Sequence, residues 1–255
     1  MLGLGASLLS PYVEGAIPYS NTKSLSLDGT NDYVDTNYTS NTLFRDSFSF
    51  SVWVKPDDGH PSAFKTILGV ETGANADMVE LYNSTDGAIG FNHISNGALN
   101  IVATGAGVFT DGAQSDFKHI VVTEEKVSSG NATTKIYVNG VDTAHTALGG
   151  GFLVISEANF NAFDHGGLEL NIGATNDDGT QDQFYDGLID EVAIFNKVLS
   201  SSEVTAIYNS GAPKDESAHD GLLLYYRFED DVTDTAGTSD GTNNGATFSS
   251  TVPSW

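Results

Sequence analysis

The sequence predicts an all-β protein, folded as a two-sheet antiparallel jelly-roll sandwich with one short helix near residues 201–209. Three observations predict this fold. Apolar and polar residues alternate through many short segments, an Asn-Gly pair joins two of these segments, and a helical pattern stands out at a single place. Short strands separated by turn signals, with almost no helix, are typical of two packed sheets.

The clearest alternation spans residues 47–55. Phenylalanine or valine occupies each even-numbered position from 48 to 54, while serine and Trp53 occupy the odd-numbered positions before Lys55. Successive side chains of a strand point to opposite faces, so this segment is predicted to be a strand with one apolar face. The same pattern recurs in six more segments, at 24–27, 89–93, 119–123, 168–172, 188–195 and 222–228.

The Asn139-Gly140 pair predicts a β-hairpin. It lies between Thr134–Val138 and Val141–Ala144, which both resemble strands. Both central residues of a type I′ turn need a positive φ, and asparagine and glycine tolerate this conformation best. This hairpin is therefore the most specific local element of the sequence.

The predicted helix begins after Ser200. Ser200 and Glu203 fit a capping box, and Gly211 can close the C-terminal end. The apolar residues that share one helical face are Val204, Ile207 and Tyr208. At about two and a half turns the helix can bridge strands but cannot form a layer of its own.

The charge balance argues against nucleic acids and membrane surfaces as partners. The 255 residues include 34 acidic and 10 basic side chains, which gives a formal charge of −24. Such a surface repels phosphate backbones and anionic lipids, whereas divalent cations or neutral glycans suit it. Solubility alone is the alternative explanation. The sequence has no cysteine, so disulfides and cysteine-based metal sites are excluded.

Residues 1–23 are expected to form an N-terminal arm. The stretch carries no lysine or arginine before Lys23 and only a short apolar run, which does not fit a secretion signal. Nothing later in the sequence is long and apolar enough to predict a membrane span. We expect the arm to pack against its own domain or against a partner chain.

Several segments, taken in order, resemble the strands of one known family. The segments are 24–34, 48–56, 117–123, 135–141 and 184–208. The most specific is the last, which begins FYDGLIDEVAIFN and runs on into the predicted helix. Together they resemble the laminin-G-like jelly-roll family of the concanavalin-A-like lectin and glucanase superfamily.

The resemblance implies a division of the chain and a setting for it. Residues 24–211 would form the jelly-roll domain, and residues 212–255 a C-terminal extension that adds a strand and Asn/Gly-rich turns. The layout is similar to that of jelly-roll proteins of tailed bacteriophages. It implies a virion protein that contacts other virion proteins through its arm, with a homo-oligomer as a further expectation.

The sequence predicts binding rather than catalysis. Glucanases of this superfamily carry catalytic carboxylates on one strand in a Glu-x-Asp-x-Glu pattern, so that all of them point into the cleft. The sequence has no such pattern, and the adjacent pairs Glu124-Glu125 and Asp190-Glu191 would point to opposite faces. The six histidines are scattered, and no serine lies in a nucleophile motif.

A structural calcium ion is the chemical hypothesis that the sequence favours. Asp190 is in phase with Leu188 and Val192, so alternation predicts a carboxylate on an apolar face, where it needs a partner or a cation. The resemblance implies an ion between the opening and closing strands, which makes Asp28 a companion ligand. Carbonyls of Gly29 and Asn31 would complete the oxygen set. The alternative is that Asp190 accepts hydrogen bonds from backbone amides.

Sugar recognition would need exposed aromatic rings near polar loops. The candidates are Tyr33, Tyr38, Trp53 and Tyr82, and packing against the sheet is the alternative for each. Two functions remain open at this point. One is a virion structural, decoration or tail-fibre-associated protein that engages host surface glycans, and the other is a secreted, extracellular carbohydrate-binding module of a bacterium.

Overall fold

The computed structural model describes residues 19–39, 41–73, 77–128, 132–147 and 155–254. The predicted all-β fold is confirmed, because two sheets face each other across one apolar core. In chain order the strands are β1 (Ser24–Asp28), β2 (Tyr33–Asp35), β3 (Phe48–Pro56), β4 (Lys65–Thr72), β5 (Asp77–Asn83), β6 (Ile89–Ser95), β7 (Ala98–Thr104), β8 (Lys118–Glu125), β9 (Thr133–Val138), β10 (Val141–Thr143), β11 (His145–Ala147), β12 (Asn171–Ile172), β13 (Thr175–Asp177), β14 (Thr180–Asp182), β15 (Asp186–Phe195), β16 (Leu222–Tyr226), β17 (Thr242–Asn244) and β18 (Thr247–Ser249).

The first sheet has the order β10-β9-β8-β3-β15-β1-β18, and β16 pairs with the C-terminal half of β15. The second has the order β11-β7-β6-β5-β4-β12-β2-β17. The strand pairs are antiparallel except that β13, which forms a hairpin with β14, runs parallel to β4. The arrangement therefore departs from the predicted antiparallel pattern only at this hairpin within the described residues.

The core lies between the sheets, where the alternation of β3 predicts it. Phe48, Phe50, Val52 and Val54 are fully buried, and the ring of Phe50 lies 6.3 Å from that of Phe91 on the facing sheet. Burying each such side chain contributes roughly 1.5–3 kcal/mol. The apolar face of β3 is thus the centre of the sandwich.

The first sheet is covered on its outer face as well. Helix α2, which follows α1 (Glu157–Ala162) in the chain and spans Ser201–Tyr208, lies there. Its Val204 and Ile207 join Phe195 and Tyr225 in a second apolar cluster. Ser49, Ser51 and Trp53 on the other face of β3 are therefore buried too, a result that alternation alone did not indicate.

The ends of α2 follow the predicted capping box but not the predicted C-terminus. The Ser200 hydroxyl accepts a hydrogen bond from the Glu203 amide, and the Glu203 carboxylate accepts one from the Ser200 amide. The left-handed residue that ends the helix is Asn209, with φ 46°, rather than Gly211. Asparagine tolerates this conformation, so the chain turns two residues earlier than predicted.

The Asn139-Gly140 hairpin is confirmed, with φ values of 50° and 77° at the two residues.

Two predicted strands are shorter than expected: only Asn171–Ile172 of 168–172 is paired, and β16 ends at Tyr226. Phe228 has a φ of 58°, which no extended strand allows. The short helix α1 was not predicted.

Residues 212–255 contribute strands to both sheets. Strand β16 lies beside β15, β17 extends the second sheet beyond β2, and β18 extends the first sheet beyond β1. Asp234 fixes the turn after β16, because one of its carboxylate oxygens accepts hydrogen bonds from the amides of Tyr225, Ala236 and Gly237. Among the described residues, no helix is long and apolar enough to cross a bilayer.

Candidate functional site

A polar cavity of 180 Å³ lies at one end of the sandwich, where β3 and β5 end and β4 and β15 begin. We call it the loop-end cavity. Its lining residues are Pro56, Asp58, Pro61, Ser62, Lys65, Asn83, Tyr185 and Asp186. Four strand ends from both sheets therefore position a single set of polar side chains.

The loop that forms one wall, residues 57–64, is fixed by its contacts with residues 110–114. The Gly59 amide donates to the Gly112 carbonyl at 2.9 Å, and one Asp58 carboxylate oxygen accepts from the Gly112 amide at 3.2 Å. Gly59 is required here, because a Cβ atom would lie 2.0 Å from the Thr110 carbonyl oxygen. The wall is thus held in place before any ligand arrives.

Two buried polar atoms in the lining have no hydrogen-bond partner. The Tyr185 hydroxyl and the Asn83 side-chain oxygen both belong to fully buried residues. The Asn83 amide nitrogen, in contrast, donates to the Asp58 and Gly59 carbonyls, at 3.4 Å each. A buried polar atom without a partner costs free energy, about 1–3 kcal/mol, so these two atoms lower the stability of this end of the sandwich.

Acidic groups dominate the electrostatics of the cavity. Among its lining residues Lys65 is the only basic one, and its ammonium group donates to the Gly29 carbonyl at 3.4 Å. Burial and the charge of Asp57 raise the pKa of Asp186, against the opposing effect of Lys65. Burial also raises the pKa of Tyr185 well above its usual range, so its hydroxyl keeps its proton.

An exposed aromatic ring lies in the loop that forms one wall of the cavity. Phe64 is 44% exposed, and in the chain it stands between Ser62 and Lys65, which both line the cavity. Its ring packs on Tyr82, with 4.9 Å between the ring centres, on the outer face of the second sheet. Sequence reasoning missed Phe64, because the residue lies in a loop outside the alternating segments. An aromatic residue in the turn-rich run 59–64 was the available signal.

The predicted aromatic platform does not form as a set. Trp53 and Tyr82 are 4% and 2% exposed, so the prediction that they present rings to a sugar is wrong. Trp53 lies on the outer face of β3, beneath α2, with its ring centre 5.8 Å from that of Tyr208. Tyr33 and Tyr38 are half-buried on other parts of the molecule, and their role in sugar binding stays a prediction.

Asp190 lies on the opposite face of β15 from the one predicted. Glu191 has a φ of 47° and forms a β-bulge, after which the pairing of β15 with β3 shifts. The bulge changes the alternation, so that Ile189 and Val192 face the core and Asp190 faces away from it. The prediction that Asp190 shares the apolar face with Val192 is therefore wrong, because it assumed unbroken alternation. Asp190 is nevertheless fully buried.

The four residues predicted to bind calcium are not brought together. Asp28, Gly29 and Asn31 lie at the end of β1, where Asp28 pairs with Asp186. Asp190 is four residues further along β15, a separation of about 13 Å. Within the described ranges no group of three or more histidine or acidic residues is placed to hold a metal ion. These four residues do not fit one calcium site, and calcium binding stays a prediction.

The bulge instead gathers a second set of polar residues, which we call the bulge cluster: Tyr19, Asn21, Asp190, Glu191, Tyr225 and Arg227. All four carboxylate oxygens of the acidic pair have a donor. Asn21 and the Glu191 amide donate to Asp190, and the Tyr19 and Tyr225 hydroxyls donate to Glu191. Arg227 lies 4.6 Å above the ring of Tyr19. Burial raises the pKa of Glu191 to about 7, while the two tyrosines and Arg227 oppose this shift.

The comparisons with known proteins agree on the fold. A family model described as the concanavalin A-like lectin/glucanases superfamily matches residues 28–205, more than half of the chain. No curated protein sequence matches the chain. Solved structures do match, at 12–19% identity in the three cases given next, and at this identity they show a shared fold alone.

Three of these structures illustrate the kinds of protein that share the fold. The carbohydrate-binding module CBM40 of a Ruminococcus gnavus sialidase is 16% identical, with a TM-score of 0.53 over 74% of this chain and 100% of that one. A Bacteroides ovatus protein with a proposed carbohydrate-binding role is 19% identical, with a TM-score of 0.62 over 92% of this chain and 62% of that one. A pentraxin of Limulus polyphemus is 12% identical, with a TM-score of 0.54 over 89% and 94%. The chain belongs to the concanavalin A-like lectin/glucanases superfamily.

Proposed function

We propose that the protein is a non-catalytic, lectin-like module that binds glycans at the loop-end cavity. The observation that carries the proposal is an open polar cavity in which the half-buried side chains of Asp58, Lys65 and Asp186 can meet a ligand. Sugar hydroxyls both donate and accept hydrogen bonds, so one pyranose can donate to the carboxylates and accept from the ammonium group. The exposed ring of Phe64 offers an apolar surface of the kind that stacks on a sugar.

The fold supports this proposal. Two structures that share it are named for carbohydrate binding, the Ruminococcus module and the Bacteroides protein. Fold alone does not determine function, so the proposal depends on the cavity and not on the likeness.

A glycan array with the purified protein, followed by calorimetry on the best ligand, tests the proposal. The Phe64→Ala variant is expected to weaken binding by roughly three- to tenfold, because it removes one stacking contact. Val141→Ala is the matched control, since Val141 is 65% exposed on the edge strand β10. Binding of no glycan, or equal loss in both variants, would contradict the proposal.

The absence of catalysis is tested on the same glycans. The sequence lacks the Glu-x-Asp-x-Glu pattern, and Glu191 is occupied by two tyrosine hydroxyls. Prolonged incubation of bound oligosaccharides with the protein is expected to release no shorter sugars. Appearance of cleavage products by chromatography would contradict this part.

The finer assignment that we propose is a virion location, as a structural or tail-fibre-associated protein that presents its cavity to host surface glycans. It is supported by the resemblance of the chain's layout to phage jelly-roll proteins. The alternative is an extracellular bacterial module. Mass spectrometry of purified particles separates the two, because only the virion protein copurifies with capsid and tail proteins.

A further inference from the structure

We propose that the loop-end cavity selects neutral saccharides and rejects sialylated and other anionic ones. This inference rests on the proposed glycan binding at the same cavity, and it names the class of ligand.

The charges around the cavity are the first argument. Two carboxylates, Asp58 and Asp186, line it against a single cation, Lys65. Asp28 and Asp57 lie close enough to act on Asp186 electrostatically, which adds two further negative groups. An anionic sugar would therefore meet repulsion from four carboxylates and attraction from one ammonium group.

The hydrogen-bonding capacity of the lining is the second argument. The Asp186 carboxylate is half-buried and accepts no hydrogen bond from any side chain or amide of the described residues. It therefore needs a ligand that donates. The hydroxyls of a neutral sugar donate, whereas the carboxylate of a sialic acid or uronic acid and a sulfate group can only accept.

Lys65 does not reverse this preference. Its ammonium group already contacts the Gly29 carbonyl at 3.4 Å and is the cation that opposes the charge of Asp186. An anion that recruited Lys65 would leave the lining carboxylates without this compensation. The cavity is thus complementary to an uncharged polyol.

The test uses matched pairs of probes, namely lactose and N-acetyllactosamine, each with its α2,3- and α2,6-sialylated counterpart, on an array and then by calorimetry. The panel also includes neutral mannose and glucose oligosaccharides beside their uronic acid analogues. We expect neutral members to bind at least about tenfold more tightly than their anionic partners. Preferred or equal binding of anionic members would overturn the inference while leaving glycan binding in place. Binding of neither class would overturn both proposals.

Charge variants sharpen the test. Asp186→Asn removes one repulsive charge. It is expected to reduce the ratio of the affinities for neutral and sialylated probes by roughly three- to tenfold. Asp57→Asn, at an exposed position, should act in the same direction and serves as the second variant should Asp186→Asn fold poorly. Asp142→Asn is the matched control, since it removes the same charge on β10, four strands away from β15. The electrostatic argument would be overturned if both test variants kept the original ratio of affinities for neutral and sialylated probes. It would also be overturned if the control variant changed this ratio by the same amount.

Discussion

The loop-end cavity and the bulge cluster both gather acidic and tyrosine side chains along β15, yet they differ in whether these groups have partners. Tyr185 and Tyr225 are both fully buried, but the hydroxyl of Tyr185 has no partner and that of Tyr225 donates to Glu191. In the bulge cluster the protein itself supplies a donor to every carboxylate oxygen. The difference teaches that burial of an acidic residue does not mark a ligand site, because the protein itself can supply a donor to each of its oxygens.

The largest expected effect is a pH dependence of the free energy of unfolding, and it arises from the bulge cluster. Burial raises the pKa of Glu191 from 4.5 to about 7, so between these values the folded protein holds a proton that the unfolded chain has released. The free energy of unfolding therefore falls as pH rises through this window, by up to roughly 3 kcal/mol for this group. Urea unfolding at pH 5 and pH 8 measures the difference.

Glu191→Gln is the control for this prediction. It should reduce the pH dependence without abolishing it, because burial also raises the pKa of Asp190 and of Glu80. A pH dependence that is identical in the variant would show that Glu191 does not carry the effect.

The next prediction compares how Tyr225 and Tyr185 affect the free energy of unfolding. Tyr225→Phe removes a hydrogen bond to a carboxylate and should lower the free energy of unfolding by about 2 kcal/mol at pH 8. Tyr185→Phe removes a hydroxyl that is buried without a partner, so it should raise the free energy of unfolding by about 1 kcal/mol or more. Chemical denaturation and calorimetry check the two variants in parallel. Equal stability losses would break the distinction between the two regions.

The smallest effect concerns the segment before β1. Tyr19→Phe removes one of the two hydroxyls that bind Glu191 but keeps the ring beneath Arg227, so we expect a loss of about 1 kcal/mol. Limited proteolysis near residues 19–23 should become faster. Tyr33→Phe is the matched control, since Tyr33 is also half-buried and its hydroxyl makes no hydrogen bond among the described residues. Unchanged proteolysis of the Tyr19 variant would mean that this contact does not hold the segment.

The described part of the predicted N-terminal arm contacts its own domain. Beyond Tyr19 and Asn21, Thr22 donates to Glu229 through both its amide and its hydroxyl, at 2.7 and 2.5 Å. Residues 1–18 lie outside the described residues, so an association of the arm with other virion proteins or with a second copy stays a prediction.

Local pattern by itself determined the fold class, the Asn139-Gly140 hairpin and the start of α2 at Ser200. Each of these depends on side chains close together in sequence: alternation sets the faces of β3, and a capping box satisfies its own amides. The resemblance of residues 24–211 to one family came from the same short-range patterns, and the family model bears out the superfamily.

Only the tertiary structure decided which polar residues form a site. A single left-handed residue, Glu191, reversed the phase of β15, so that alternation assigned Asp190 to the wrong face. The burial of Trp53 depends on α2, which lies about 150 residues later in the chain, and the cavity depends on four strand ends that are distant in sequence. Sequence patterns report interactions between residues that are close together in the chain. Long-range packing decides which side chains are buried and which hydrogen-bond partners they have.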